Sequence, residues 1–186
     1  MNNDRTKTIT IFAALAVLMA VTRGHHFGSA MNLPDASLAI FLLAGLYLAR
    51  AALPVLLIEA GLVDYFAINF GGVSDWCFSP AYWFLVPTYA VMWYAGRFYA
   101  ARYSQSWHGL VLFTATAWLA TSAAFVISNG SFYLFSGRFA EMGALQYAGS
   151  LTGYYGQYLA GAFLYLAIAA CVQAAITSLS GRSARA

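Results

Sequence analysis

Few side chains in this sequence carry a charge: Asp, Glu, Lys and Arg make up 8% of its 186 residues, where a soluble domain carries roughly a quarter. With 62% of the residues hydrophobic, a water-soluble fold is excluded. Acidic residues are scarcest, six against nine Lys and Arg, and the cations are scattered. No run of like charge is present that could follow a phosphate backbone, which excludes nucleic-acid binding. Cysteine is nearly absent. Cys77 and Cys171 fall in very different settings, so neither a disulfide framework nor a Cys-rich zinc site is suggested. A cysteine with a chemical role here acts alone.

What the chain has in abundance is apolar sequence. A bilayer-spanning helix needs about 20 mostly apolar residues, so this length holds about six spans in one all-α integral membrane domain over 1–186, with no room for a second domain. The spans are expected at about 8–22, 36–49, 53–69, 81–99, 107–128 and 145–179. Arg5 and Lys7 before the first apolar run, with Gly28-Ser29-Ala30 after it, imitate a signal peptide. Several further spans follow, and a retained first helix is the simpler reading. Asp35 or Ser37 can cap the second helix, and Pro54 opens the third. The segment 70–80 is too rich in Gly, Ser and Pro to continue as helix. Pro87 predicts a kink in the fourth helix, and Asn129-Gly130-Ser131 predicts the end of the fifth. The last is read as one long helix whose glycines, among them Gly149, Gly153, Gly156 and Gly161, permit close approach of a neighbour or a ligand.

Orientation follows from the cations. With both termini cytoplasmic, Arg5, Lys7, Arg50, Arg97, Arg102, Arg182 and Arg185 lie inside, and only Arg23 and Arg138 lie outside. Seven against two is a strong bias under the positive-inside rule. The long polar loops after helices 1, 3 and 5 then share the outer face, which predicts an outward-facing binding site.

Cys77 is the sharpest candidate in those loops. It lies in an irregular, aromatic-flanked segment where a thiolate can bind a soft or borderline metal through one strong bond. Cys171, in a run of Ala, Ile and Val, reads as an apolar filler. His25 and His26 fall in the first outer loop, where an imidazole can ligate a metal or titrate near neutral pH. His108 reads as interfacial. Asp64 follows Gly61-Leu62-Val63 in an apolar helix, and an ionisable group there is a functional hypothesis by default. Glu59 is expected to pair with Arg50, and Asp35 to cap a helix. Trp76, Phe78, Tyr82 and Trp83 crowd around Cys77 and would wall in a flat, large, partly apolar ligand. Phe132, Tyr133 and Phe135, with Tyr147, Tyr154, Tyr155 and Tyr158, could complete the enclosure. In helix 1, Ala16 and Ala20 form a small-xxx-small step suited to close helix packing.

The segments Thr22-Arg23-Gly24-His25-His26-Phe27-Gly28-Ser29, Leu33-Pro34-Asp35-Ala36-Ser37, Asp64-Tyr65 and Gly72-Val73-Ser74-Asp75-Trp76-Cys77-Phe78-Ser79-Pro80-Ala81-Tyr82 together resemble the BtuM family of small bacterial vitamin B12 transporters. That family is similar in fold to the S-components of energy-coupling factor (ECF) transporters, six-helix proteins whose outer loops enclose the vitamin. The resemblance implies a multi-pass protein of the bacterial inner membrane that binds cobalamin at the outer face and mediates its uptake. It implies that the Cys77 sulfur coordinates the cobalt of the transported corrinoid, in the axial site that a nitrogen base holds in the free vitamin. It places His25, Asp64 and Tyr82 in the same pocket, and Trp76 and Phe78, which flank the cysteine in the sequence, are read as binding residues beside them. The Ala16 and Ala20 step resembles the docking motif through which S-components engage an ATPase module, although BtuM-like proteins also occur as solitary units. No intrinsic cofactor is implied.

Thiolate donation to Co(III) weakens the ligand on the opposite face, which predicts loss of cyanide from bound cyanocobalamin as an accessory to binding. The competing reading is a membrane oxidoreductase with Cys77 as redox nucleophile. That chemistry wants a resolving cysteine nearby, and Cys171 is expected far down the last helix. A ligand-free interaction subunit would leave the polar outer loops and Asp64 without a role.

Overall fold

The computed structural model describes residues 2–23 and 33–183. Among these the fold is all-helical: α1 (Asn2–Thr22), α2 (Ser37–Tyr47), α3 (Ala52–Phe70), α4 (Leu85–Ala100), α5 (Trp107–Phe135), α6 (Ala144–Ser150) and α7 (Thr152–Ser183). Two 3-10 turns, Asp75–Cys77 and Pro80–Phe84, fill the segment between α3 and α4.

Four helices, α1, α3, α5 and α7, are long and apolar enough to cross a membrane. Most of their apolar surface faces outward: Ile58, Leu62, Val126 and Ile168 are each more than half exposed. In water such a surface would drive aggregation; against hydrocarbon it costs nothing, and the helical backbone satisfies its own hydrogen bonds there. The chain is a membrane protein by this measure. α2 and α4 are shorter, with 11 and 16 residues.

α2 is the heart of the bundle. It is apolar on all sides, as expected of a helix surrounded by others, and it contacts α1, α3, α4 and α7. Phe41, Ile40 and Leu42 are fully buried along it, with Met92 and Trp93 of α4 facing them. Its packing on α4 depends on two glycines. A Cβ on Gly45 would strike the Trp93 carbonyl oxygen, and one on Gly96 would strike that of Leu42, so the two backbones approach as only small residues allow.

Four sequence expectations about the helices are corrected. Asn129-Gly130-Ser131 does not end α5, which continues to Phe135. The Asn129 amide donates to the Phe125 carbonyl (3.0 Å) and the Ser131 hydroxyl to that of Ser128 (2.9 Å), so both side chains satisfy themselves within the helix. Pro87 does not kink a long helix. α4 begins only at Leu85, so the proline occupies the first turn, where a missing N–H breaks no intrahelical bond. The final helix is interrupted at Leu151 within a Gly-Ser-Leu-Thr-Gly stretch, leaving α6 as a separate short helix. α2 ends at Tyr47, two residues before its expected end at 49.

Candidate functional site

One end of the bundle opens into a cavity of about 970 Å³, at the upper end of the roughly 300–1,000 Å³ usual for small-molecule sites. Its rim is built by the chain leaving α3. Gly71 ends the helix, and Gly72 takes a left-handed φ of 68° that turns the backbone away. The Val73 N–H still reaches back to the Ala67 carbonyl (3.1 Å), and the Ser74 hydroxyl accepts from the Trp76 N–H (3.2 Å), closing the turn that carries Cys77. Stacking of Phe84 on Phe135, with ring centroids 4.9 Å apart, ties the second 3-10 turn to α5.

Five of the sequence-predicted site residues, Asp64, Trp76, Cys77, Phe78 and Tyr82, line this cavity together. Phe78 and Tyr82 are in ring contact at 5.1 Å. The opposite wall is contributed by Phe132 of α5, Tyr147 of α6, and Tyr154 and Tyr158 of α7. Three aromatics expected there lie elsewhere: Tyr133 donates to the Met142 carbonyl, Tyr155 bonds the Ser122 hydroxyl, and Phe135 supports Phe84. Trp83 is 77% exposed and does not line the cavity. His25 and His26 lie outside the described residues.

Cys77 is exposed, yet the side chains around it remove enough water to push its thiol pKa up, against an opposing pull from Arg138 and with a further push from Asp64. Cys171 is exposed on α7 and does not line the cavity. It follows Leu164, the last lining residue of that helix, by seven positions, or about 10 Å of helix.

The cavity floor is polar, and its organiser is Arg23, which in the sequence is marked only by its charge among the outer loops. Arg23, 3% exposed at the end of α1, meets Asp64 of α3 in a bidentate pair, with Nε to Oδ1 at 2.8 Å and Nη2 to Oδ2 at 2.7 Å. Nη1 donates to the Ser37 hydroxyl (2.8 Å) and the Tyr89 hydroxyl (2.6 Å), and Nε also reaches the Ala60 carbonyl (3.1 Å). Tyr82 donates to Asp64 Oδ2 at 2.6 Å. Asp64 thus accepts three hydrogen bonds from the protein, which leaves room for about one more at a carboxylate. Its main part is to brace α1, α3 and the Tyr82 turn.

Asp35 acts as expected of a cap: Oδ1 accepts from the Ser37 N–H (2.9 Å) and hydroxyl (2.6 Å) at the start of α2. Its other oxygen stands 4.0 Å from Arg23. Glu59 does not pair with Arg50. The ion pairs among the described residues are those of Arg23, and Glu59 instead lines a second hollow of about 520 Å³ between α1 and α3, beside Ala20. His108 is exposed in the first turn of α5. Among the described residues no group of three or more His, Cys, Asp and Glu side chains could hold a metal ion.

No protein-family model matches the chain, and no curated protein matches it.

Proposed function

We infer that this protein binds cobalamin through ligation of cobalt by the Cys77 sulfur and mediates its uptake. The observation that carries this reading is a single thiol set in an aromatic wall of a cavity of about 970 Å³. One soft donor among flat apolar surfaces suits a metal already held in a macrocycle, which needs a single axial ligand rather than a cage. Trp76 and Phe78 would face the macrocycle, and His25, Asp64 and Tyr82 would supply polar contacts to its side-chain amides or its nucleotide loop. The same reading places six crossings in a bacterial inner membrane with both termini cytoplasmic, in an S-component-like bundle. The cavity then opens outward, as the Lys and Arg distribution favours. Ala16 and Ala20 of α1 would face an ECF-type energising module where one is used; a solitary mode of action leaves that face to lipid. Cys77 is the one cysteine lining the cavity, which speaks against a dithiol redox site.

The test is the visible absorption spectrum of the protein purified from cobalamin-supplied cells, beside an identically prepared Cys77→Ala variant. A near-stoichiometric corrinoid spectrum, shifted from that of the free vitamin and altered or lost in the variant, supports the reading. A colourless wild-type protein that also fails to take up added cobalamin overturns it.

A further inference from the structure

Among the described residues, the charged side chains that line the cavity disfavour an anion. They are one cation, Arg23, and two carboxylates, Asp35 and Asp64, a net charge of −1. Every nitrogen of the Arg23 guanidinium is already engaged within the protein. Such a floor favours the cationic cobalt–corrin core and repels a negative group.

A second cation stands at the rim in a different state. Arg138, in the loop between α5 and α6, lies with its guanidinium carbon 3.9 Å from the centroid of the Trp76 ring, and Trp76 itself lines the cavity. The loop is shaped for this. Gly137 adopts a φ of 72°, the Arg138 N–H reaches the Ser136 hydroxyl at 3.3 Å, and the next residue, Phe139, turns into the cavity wall. Stacking uses the face of the guanidinium and leaves its N–H edge free. Arg138 is exposed, and no carboxylate among the described residues pairs with it. A planar cation held in place by an indole, with its side-chain donors unoccupied among the described residues, is pre-organised for bidentate contact with a phosphate.

We propose that Arg138, seated on Trp76, recognises the phosphodiester of the corrinoid's nucleotide loop and so selects complete cobalamins over corrinoids that lack this group. The inference rests on the corrinoid reading of the cavity and adds the residue that sets specificity within it. With a carboxylate-rich floor and the Arg138 guanidinium beside Trp76, the ligand is oriented with its nucleotide loop toward Arg138.

The experiment compares binding of cyanocobalamin and of dicyanocobinamide, which has neither phosphate nor nucleotide, to the wild type, Arg138→Gln and Arg138→Lys, by quenching of tryptophan fluorescence. Expected are a loss of about tenfold in cobalamin affinity in Arg138→Gln and a change within about twofold for cobinamide. Arg138→Lys keeps the charge and retains part of the preference. Raising the salt concentration should erode the preference in the wild type and leave Arg138→Gln unmoved. Equal weakening of both corrinoids in Arg138→Gln, or none, overturns the proposal while the cobalamin reading stands. Failure of the wild type to bind either corrinoid overturns both.

Discussion

Arg23 and Asp64, 41 residues apart in sequence, meet through two parallel hydrogen bonds of 2.8 and 2.7 Å beneath the candidate binding cavity. The pair fastens the end of α1 to α3, and through Ser37 and Tyr89 it reaches the first turn of α2 and the middle of α4. Four helices and the Tyr82 turn therefore share one polar knot.

Removal of one partner should be costly. Arg23→Met leaves a buried carboxylate, and Asp64→Leu leaves a buried guanidinium, each at about 3–5 kcal/mol. Thermal unfolding of the detergent-solubilised protein should show large drops in Tm for both single variants and a smaller one for the double variant Arg23→Met/Asp64→Leu. Additive single effects would mean that the two groups do not depend on each other.

The α2–α4 contact is predicted to be the least tolerant packing in the bundle. Gly96→Ala or Gly45→Ala places a methyl group on a backbone carbonyl of the facing helix, which must separate the helices and cost on the order of 1–3 kcal/mol or more. Gly61→Ala in α3, where nothing lies within 4 Å of the added Cβ, should be neutral or slightly stabilising. Yield of monodisperse protein and Tm report the difference.

Reactivity of Cys77 in the ligand-free protein should depend on pH with a raised midpoint. Partial burial disfavours the thiolate, Arg138 offsets part of this, and Asp64 adds to it. The thiolate is the attacking form, so alkylation by iodoacetamide should rise toward alkaline pH with a midpoint above that of an ordinary cysteine. A Cys171→Ala background isolates the signal. A midpoint below the ordinary value would show that Arg138 outweighs burial.

Bound cyanocobalamin should lose cyanide. When the Cys77 thiolate donates an electron pair to Co(III), the bond on the opposite face weakens and cyanide leaves with its own electron pair, without change in the oxidation state of cobalt. Incubation of the wild-type complex should convert its spectrum and release cyanide, and Cys77→Ala should do neither. Intact cyanide on the wild-type complex after prolonged incubation, with thiol reductant present, counts against the proposed ligation.

Much of the candidate site was legible before any coordinates. The clustering of Trp76, Phe78 and Tyr82 around Cys77 is local in sequence, and a Gly-Gly step before it with a proline after it could not form regular helix. The polar knot was not legible. In the sequence Arg23 is one of two outer cations, yet it is buried, because its partners come from three helices, α2, α3 and α4, whose packing no single segment encodes. Two of the helix expectations, the end of α5 and the kink at Pro87, failed because turn-prone residues found a helical use. Asn129 and Ser131 bond back to carbonyls of their own helix, and Pro87 falls in a first turn, where its missing N–H is harmless.

The sequence alone determined that the chain is helical and membrane-embedded, because scarce charge and long apolar runs leave hydrocarbon as the compatible solvent and helix as the backbone form that satisfies itself there. It also placed the single loop thiol among aromatics. Only the tertiary structure decided that α2 is a short buried core, that Asp64 is held by Arg23 and Tyr82, and that Arg138 rests on Trp76. Each of these depends on side chains far apart in the chain meeting at one place, and such meetings are set by how helices pack, for which local sequence carries no signature.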